Sequence, residues 1–195
     1  MRGGWLVGLL GVLVLAYITV NSLRTEGVGS RGPVVGEPLP PFAAPLAPSD
    51  LEGDANVAGD ACEVRGPAVM NVCELVADRP LVLAFVVPGV EQCERQIGVL
   101  DRVAPRFPGV AFAAVAVRGD RDALRERGWR IPVGHDRDGA VANAYGVAVC
   151  PFITFARRGG EVAGSALTFL DEAALARRVE ALRRPGAAPA AGGAG

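Results

Sequence analysis

Four cysteines, Cys62, Cys73, Cys93 and Cys150, are the side chains of this sequence that can do covalent chemistry. A cysteine thiolate is a nucleophile and a metal ligand, and two cysteines can hold or exchange a disulfide. No two of the four are separated by only two residues, so the paired short spacings of a zinc site are missing. A single histidine, His135, adds little to a ligand set, and neither a metal nor a cofactor is expected. Four cysteines allow three fully paired connectivities, and spacing does not distinguish them. Cys62 and Cys73 flank Arg65-Gly66-Pro67, a turn signal. That favours a structural disulfide between these two, closing a hairpin. His135 lies beside Asp136 and reads as a solvated loop histidine, because a catalytic role needs a nucleophile within reach. Glu91 and Glu94 fall at the start of a predicted helix, where carboxylates favour the macrodipole. Trp129 and Tyr145 read as packing residues.

The elements that must position these groups follow from hydrophobic patterning. Residues 81–87 and 110–117 are continuous apolar runs, as in strands covered on both faces. Residues 91–103 place Ile97, Leu100 and Val103 at helical spacings. Shorter helices are predicted over 120–127 and 139–145, each ended by a glycine. Residues 152–156 pair across Gly159-Gly160 with a strand over 162–167, and a last helix spans 171–184. Strand, helix, strand, helix, hairpin and helix imply an α/β domain over residues 55–184 with a mixed central sheet flanked by helices.

The 195 residues are 50% hydrophobic with a formal charge of −1, which gives no basis for a nucleic-acid partner. All 20 basic side chains are Arg and none is Lys. With the Ala, Gly, Val and Pro enrichment this reads as the codon usage of a G+C-rich genome rather than as phosphate clamping.

An uncharged apolar run over residues 5–20, extendable to Leu23, reaches roughly 28 Å as a helix, enough for a bilayer core. Residues 1–23 therefore read as a retained single-pass transmembrane anchor. The rival, a cleaved signal peptide, is disfavoured by a very short charged region and the lack of a small-x-small site. Residues 24–54, rich in Pro and Gly, read as a tether, and residues 185–195 as a low-complexity tail. Arg2 on one flank and Arg24 and Arg31 on the other orient the anchor weakly. Cysteine usage favours an extracytoplasmic domain at the cell membrane.

Phe85 to Val103, Gly128-Trp129-Arg130-Ile131-Pro132-Val133, the stretch from Asp136 to Val147, and Pro151 to Gly160 together resemble membrane-anchored thioredoxin-like disulfide reductases of the TlpA and redoxin kind. The ordered set spans most of residues 55–184 and implies a thioredoxin-like fold. In that family a Trp-Cys-x-x-Cys segment joins the first central strand to its helix, the first cysteine attacking the substrate disulfide and the second resolving it. Here the segment is Gly89-Val90-Glu91-Gln92-Cys93: Cys93 stands at the resolving position and Val90 at the attacking one. Ala84 stands where many thioredoxins keep a buried acid. A peroxiredoxin alignment from Pro88 fares no better, since Cys93 falls two residues too early.

Pro151 matches the family's cis-proline, and the resemblance implies that Cys150 before it lies close to the start of the active-site helix. It therefore implies a relocated Cys93/Cys150 pair, structural or redox-active, with Val90 and Pro151 in a substrate groove. Two functions follow as expectations. One is thiol–disulfide exchange with a protein thiol or disulfide partner. The other is a catalytically inactive thioredoxin-fold module of the cell envelope that binds an extended peptide or takes part in assembly.

Overall fold

The two uninterrupted apolar runs become the two central strands of the sheet. The computed structural model describes residues 9–17 and 31–184. In chain order the strands are β1 (Ala43–Pro45), β2 (Val69–Asn71), β3 (Leu81–Val86), β4 (Ala111–Val117), β5 (Val133–Asp136), β6 (Phe152–Ala156) and β7 (Val162–Ala166). The helices are α1 (Val72–Ala77), α2 (Glu91–Val103), α3 (Arg121–Glu126), α4 (Ala140–Ala144) and α5 (Glu172–Arg183). Five strands form one sheet in the order β5-β4-β3-β6-β7. Within it β3, β4 and β5 run parallel, while β6 is antiparallel to β3 and to β7. The α/β, mixed-sheet arrangement expected from the sequence is the one observed.

Successive side chains of a strand point to opposite faces, so β3 supplies two cores. Val82, Ala84 and Val86 pack with Ile97 and Leu100 of α2 and Leu175 and Val179 of α5. Leu81, Leu83 and Phe85 pack with Phe42, Met70, Tyr145 and Phe152. Every residue of β3 is buried, which explains the continuous apolar run.

Three expectations are corrected, two of burial and one of the turn that Cys62 and Cys73 span. The packed part of the chain begins well before residue 55. Leu39, Phe42, Ala43, Ala44 and Ala47, all inside the stretch expected to be a tether, are buried. β1 pairs antiparallel with β2, and Leu46 bridges to Gly134 in β5. The prolines here do favour extended backbone, but β1 is an edge strand, where Pro45 is tolerated. His135 is likewise not in a solvated loop. It lies in β5 and is 4% exposed. Gly134 beside it is closely packed: a Cβ there would stand 3.2 Å from Met70 Sδ and 3.3 Å from Ala44 Cβ, so these neighbours would have to shift.

Cys62 is bonded to Cys73. The bridge does not close a hairpin: it ties a single 3-10 turn, Ala61–Glu63, to the first turn of α1. Asn71 braces the same junction, its Nδ2 donating to Val64 O at 2.8 Å and its Oδ1 accepting from Cys73 N at 2.9 Å. Replacing both cysteines by serine is expected to cost about 3 kcal/mol by freeing the unfolded chain. Thermal unfolding should show this as a fall in Tm of roughly 6–12 °C, and an unchanged Tm would refute it.

Residues 9–17 are helical, and no helix among the described residues is long and apolar enough to cross a membrane. The remainder of the expected anchor, residues 24–30 of the expected tether and the tail 185–195 lie outside the described residues.

Candidate functional site

The site forms where β3 ends, α2 begins and β6 starts. After Val86 the chain turns through Val87, Pro88, Gly89 and Val90, with Val90 N donating to Val87 O at 3.2 Å. Gly89 has a φ of +83°, in the left-handed region that glycine reaches without strain. Its N–H donates to Glu94 Oε1 at 2.8 Å, and Glu94 also pairs with Arg127 at 2.6 Å. Gly119 closes against this loop: a Cβ there would meet Pro88 Cγ at 2.8 Å. Val90 is the N-cap residue of α2, is 43% exposed and offers no side-chain cap.

Cys93 falls in the first turn of α2, its N–H donating to Val90 O at 3.0 Å. The antiparallel register that sets Phe152 opposite Phe85 carries the preceding residues past the end of β3. The Cys150–Pro151 peptide is cis, and it delivers Cys150 to the start of α2. The two sulfurs are bonded, with 5.7 Å between Cα atoms. Cys93 is wholly buried, whereas Cys150 is only half-buried. Val87 N–H donates to Cys150 Sγ at 3.3 Å. Val87, which donates to Cys150, Val90, which accepts from Cys93 N–H, and Val149, which precedes Cys150, are 38%, 43% and 43% exposed.

Among the described residues, no buried acid lies beneath the bond. Ala84 is fully buried between Ala114 and Ile153. The buried carboxylate nearest in the chain to His135, that of Asp136, is occupied elsewhere: it accepts from Val141 N at 3.1 Å and Ala142 N at 2.9 Å, fixing the start of α4. Gln96, one turn beyond Cys93, is wholly buried. It donates to Leu170 O at 3.1 Å and accepts from Leu170 N at 2.8 Å, which locks α2 against the segment leading into α5. Gln96 is absent from the residues that the sequence singles out, although it falls on the buried stripe formed by Cys93, Ile97, Leu100 and Val103. An uncharged polar residue on an apolar stripe is the signal that points to it.

His135 does not join the disulfide. Its Nε2 lies 3.2 Å from Gly119 O, and its Nδ1 is buried without a partner. Burial pushes the imidazole below its ordinary value of 6.5, against a raising contribution from the Gly119 carbonyl. The folded protein therefore holds His135 neutral at a pH where the unfolded chain already takes up a proton. Its contribution to stability is complete above about pH 6.5 and is lost as the pH falls below that value. His135→Gln should flatten the dependence of Tm on pH between 5 and 7. An unaltered slope would contradict this.

The sequence matches no protein-family model and no curated protein. Solved structures do resemble this one. A secreted disulfide oxidoreductase of Mycobacterium tuberculosis, homologous to E. coli DsbE, is 26% identical with a TM-score of 0.54, over 59% of this chain and 90% of that one. MTB DsbF, in mixed oxidised and reduced forms, is 25% identical with a TM-score of 0.56, over 74% of this chain and 96% of that one. A Chlorobium tepidum protein assigned as the thiol:disulfide interchange protein DsbE is 17% identical with a TM-score of 0.62, over 76% of this chain and 97% of that one. The chain has the thioredoxin-like α/β fold of DsbE- and TlpA-like disulfide oxidoreductases, and its Cys93–Cys150 bond lies where β3, α2 and the cis-proline meet.

Proposed function

We propose that this chain is a membrane-tethered, extracytoplasmic thiol–disulfide exchange protein that works through Cys93 and Cys150. The observation that carries the reading is the bond itself, set between the first turn of α2 and the cis-proline, with one of its two cysteines only half-buried. A helix N-terminus favours a thiolate, and Cys93 is placed there. The likeness to disulfide oxidoreductases of the same fold supports a protein thiol or disulfide as partner. The tether rests on the apolar run over residues 5–20, and the compartment on two disulfides in one small domain.

The second reading, a catalytically inactive binding or assembly module, is favoured by Val90 at the attacking position. Incubation with reduced and oxidised glutathione separates the two. Quenching by alkylation and mass spectrometry should show Cys93 and Cys150 exchanging within minutes. A bond that stays intact while the fold is native would favour the binding module.

A further inference from the structure

The family resemblance places the attacking cysteine at the helix start, where this chain has Val90, and the one cysteine of the helix, Cys93, is inaccessible. Cys93 is wholly buried in the core between β3, α2 and α5, and no partner thiol reaches its sulfur from solvent without disturbing that packing. Cys150 is half-buried and sits on the surface loop ahead of β6. Its sulfur also has what a departing or attacking thiolate needs, an N–H donor from Val87 at 3.3 Å.

Building on the exchange reading above, we infer a polarity for the site in which Cys93 keeps the resolving role and the attacking role has passed from position 90 to Cys150. Cys150 is the sulfur that partners meet and on which the mixed disulfide forms, and Cys93 is the buried leaving and resolving group. In the oxidising direction, a deprotonated partner thiol attacks Cys150 Sγ. A new S–S bond forms to the partner as the Cys93–Cys150 bond breaks. The electron pair of the broken bond stays on Cys93 Sγ in the first turn of α2, and this sulfur then takes a proton from water. A second thiol of the same partner, having lost its proton, attacks the partner's own sulfur in the mixed disulfide. The partner leaves with its disulfide, and Cys150 departs as a thiolate facing the Val87 N–H. Two electrons pass from the partner dithiol to the Cys93–Cys150 bond, and no other oxidant is needed. In the reducing direction the same steps run backwards.

The surroundings of Cys150 define the partner's chemistry. Val87 touches it through the N–H, Val149 precedes it in the chain, and Val90 is joined to Val87 by a backbone hydrogen bond. These three exposed valines carry no charge and no hydrogen-bonding side chain. They fit a cysteine flanked by apolar residues in an extended segment.

The experiment uses the full chain. The reduced wild type is pulsed with iodoacetamide, and the label on each cysteine is read by mass spectrometry. Cys150 should be alkylated at least about tenfold faster than Cys93, because the reaction follows exposure of the thiolate. Equal rates, or a faster Cys93, would overturn this polarity while leaving exchange itself intact. In a second arm, C93S and C150S are mixed with glutathione disulfide. C93S should capture glutathione on Cys150 at least about tenfold faster than C150S captures it on Cys93. Capture by neither variant, with near-ultraviolet dichroism still native, would overturn the exchange reading and the polarity with it. The oxidised wild type should also react about fivefold faster with a capped Val-Cys-Val peptide thiol than with Ser-Cys-Ser, from burial of the flanking methyl groups. Equal rates would remove the apolar partner from the assignment.

Discussion

Cys93→Ser in the full chain is expected to abolish release of reduced product from a peptide disulfide, with the reduced protein itself as the only thiol present, by a factor on the order of 10³ or more. A serine hydroxyl cannot form or resolve a disulfide, so a mixed disulfide at Cys150 has no internal group to release it. No other cysteine can substitute, because Cys62 and Cys73 are bonded to each other in the segment ahead of β3. The loss therefore belongs to the covalent step and is separable from stability. The Cys62/Cys73 double serine variant should lose Tm yet keep its rate at a temperature where it is folded. Product release by Cys93→Ser within about tenfold of wild type, with no other thiol present, would show that exchange does not pass through this bond.

Phe42→Ala is expected to cost about 3–5 kcal/mol of stability. Phe42 is wholly buried and packs edge-on against Tyr145, with ring centroids 5.8 Å apart. Tyr145 is itself wholly buried. Its hydroxyl donates to Pro40 O at 2.9 Å, so ring contact and hydrogen bond both tie the N-terminal stretch to the core. Burial holds that phenol well above its ordinary value, and it stays neutral and donating through the usual pH range. Removing the Phe42 ring leaves a cavity against Phe85, Met70 and Tyr145 that rigid strands cannot close. Urea unfolding should report the loss as a lower midpoint with an unchanged slope. A cost below about 1 kcal/mol would mean that this stretch is a tether after all.

Those two residues also mark how far the amino-acid sequence makes the fold legible. β3, β4 and α2 are plain in it because burial on both faces forces an unbroken apolar run, and burial on one face forces helical spacing. The hairpin of β6 and β7 is plain because Gly159-Gly160 permits the turn, and both take positive φ. β1 and β2 are not. Each has three residues, too few to show a period, and β1 ends in Pro45, so the stretch reads as an unpacked tether although Phe42 lies at its centre. His135 reads as loop because Gly134 and Asp136 are poor strand formers. That glycine is there for the close approach of Met70 and Ala44, and the aspartate caps α4.

The site is half legible for a related reason. Val90 and Cys93 can be placed by alignment to a segment, since β3 and α2 are adjacent in the chain. Cys150 is 57 residues from Cys93, and only the antiparallel pairing of β6 with β3 brings the two together. Which cysteine is the more buried is not legible at all, because it depends on how α2, β3 and α5 close over Cys93.

The most direct measurement is the reduction potential of the Cys93–Cys150 bond in the full-length protein. Equilibration in graded thiol–disulfide buffers, followed by alkylation and mass spectrometry of the two cysteine peptides, reads it. A bond that works in exchange should titrate between about −120 and −270 mV, the span of known exchange proteins. A midpoint below about −300 mV, the range of structural disulfides, would contradict the account.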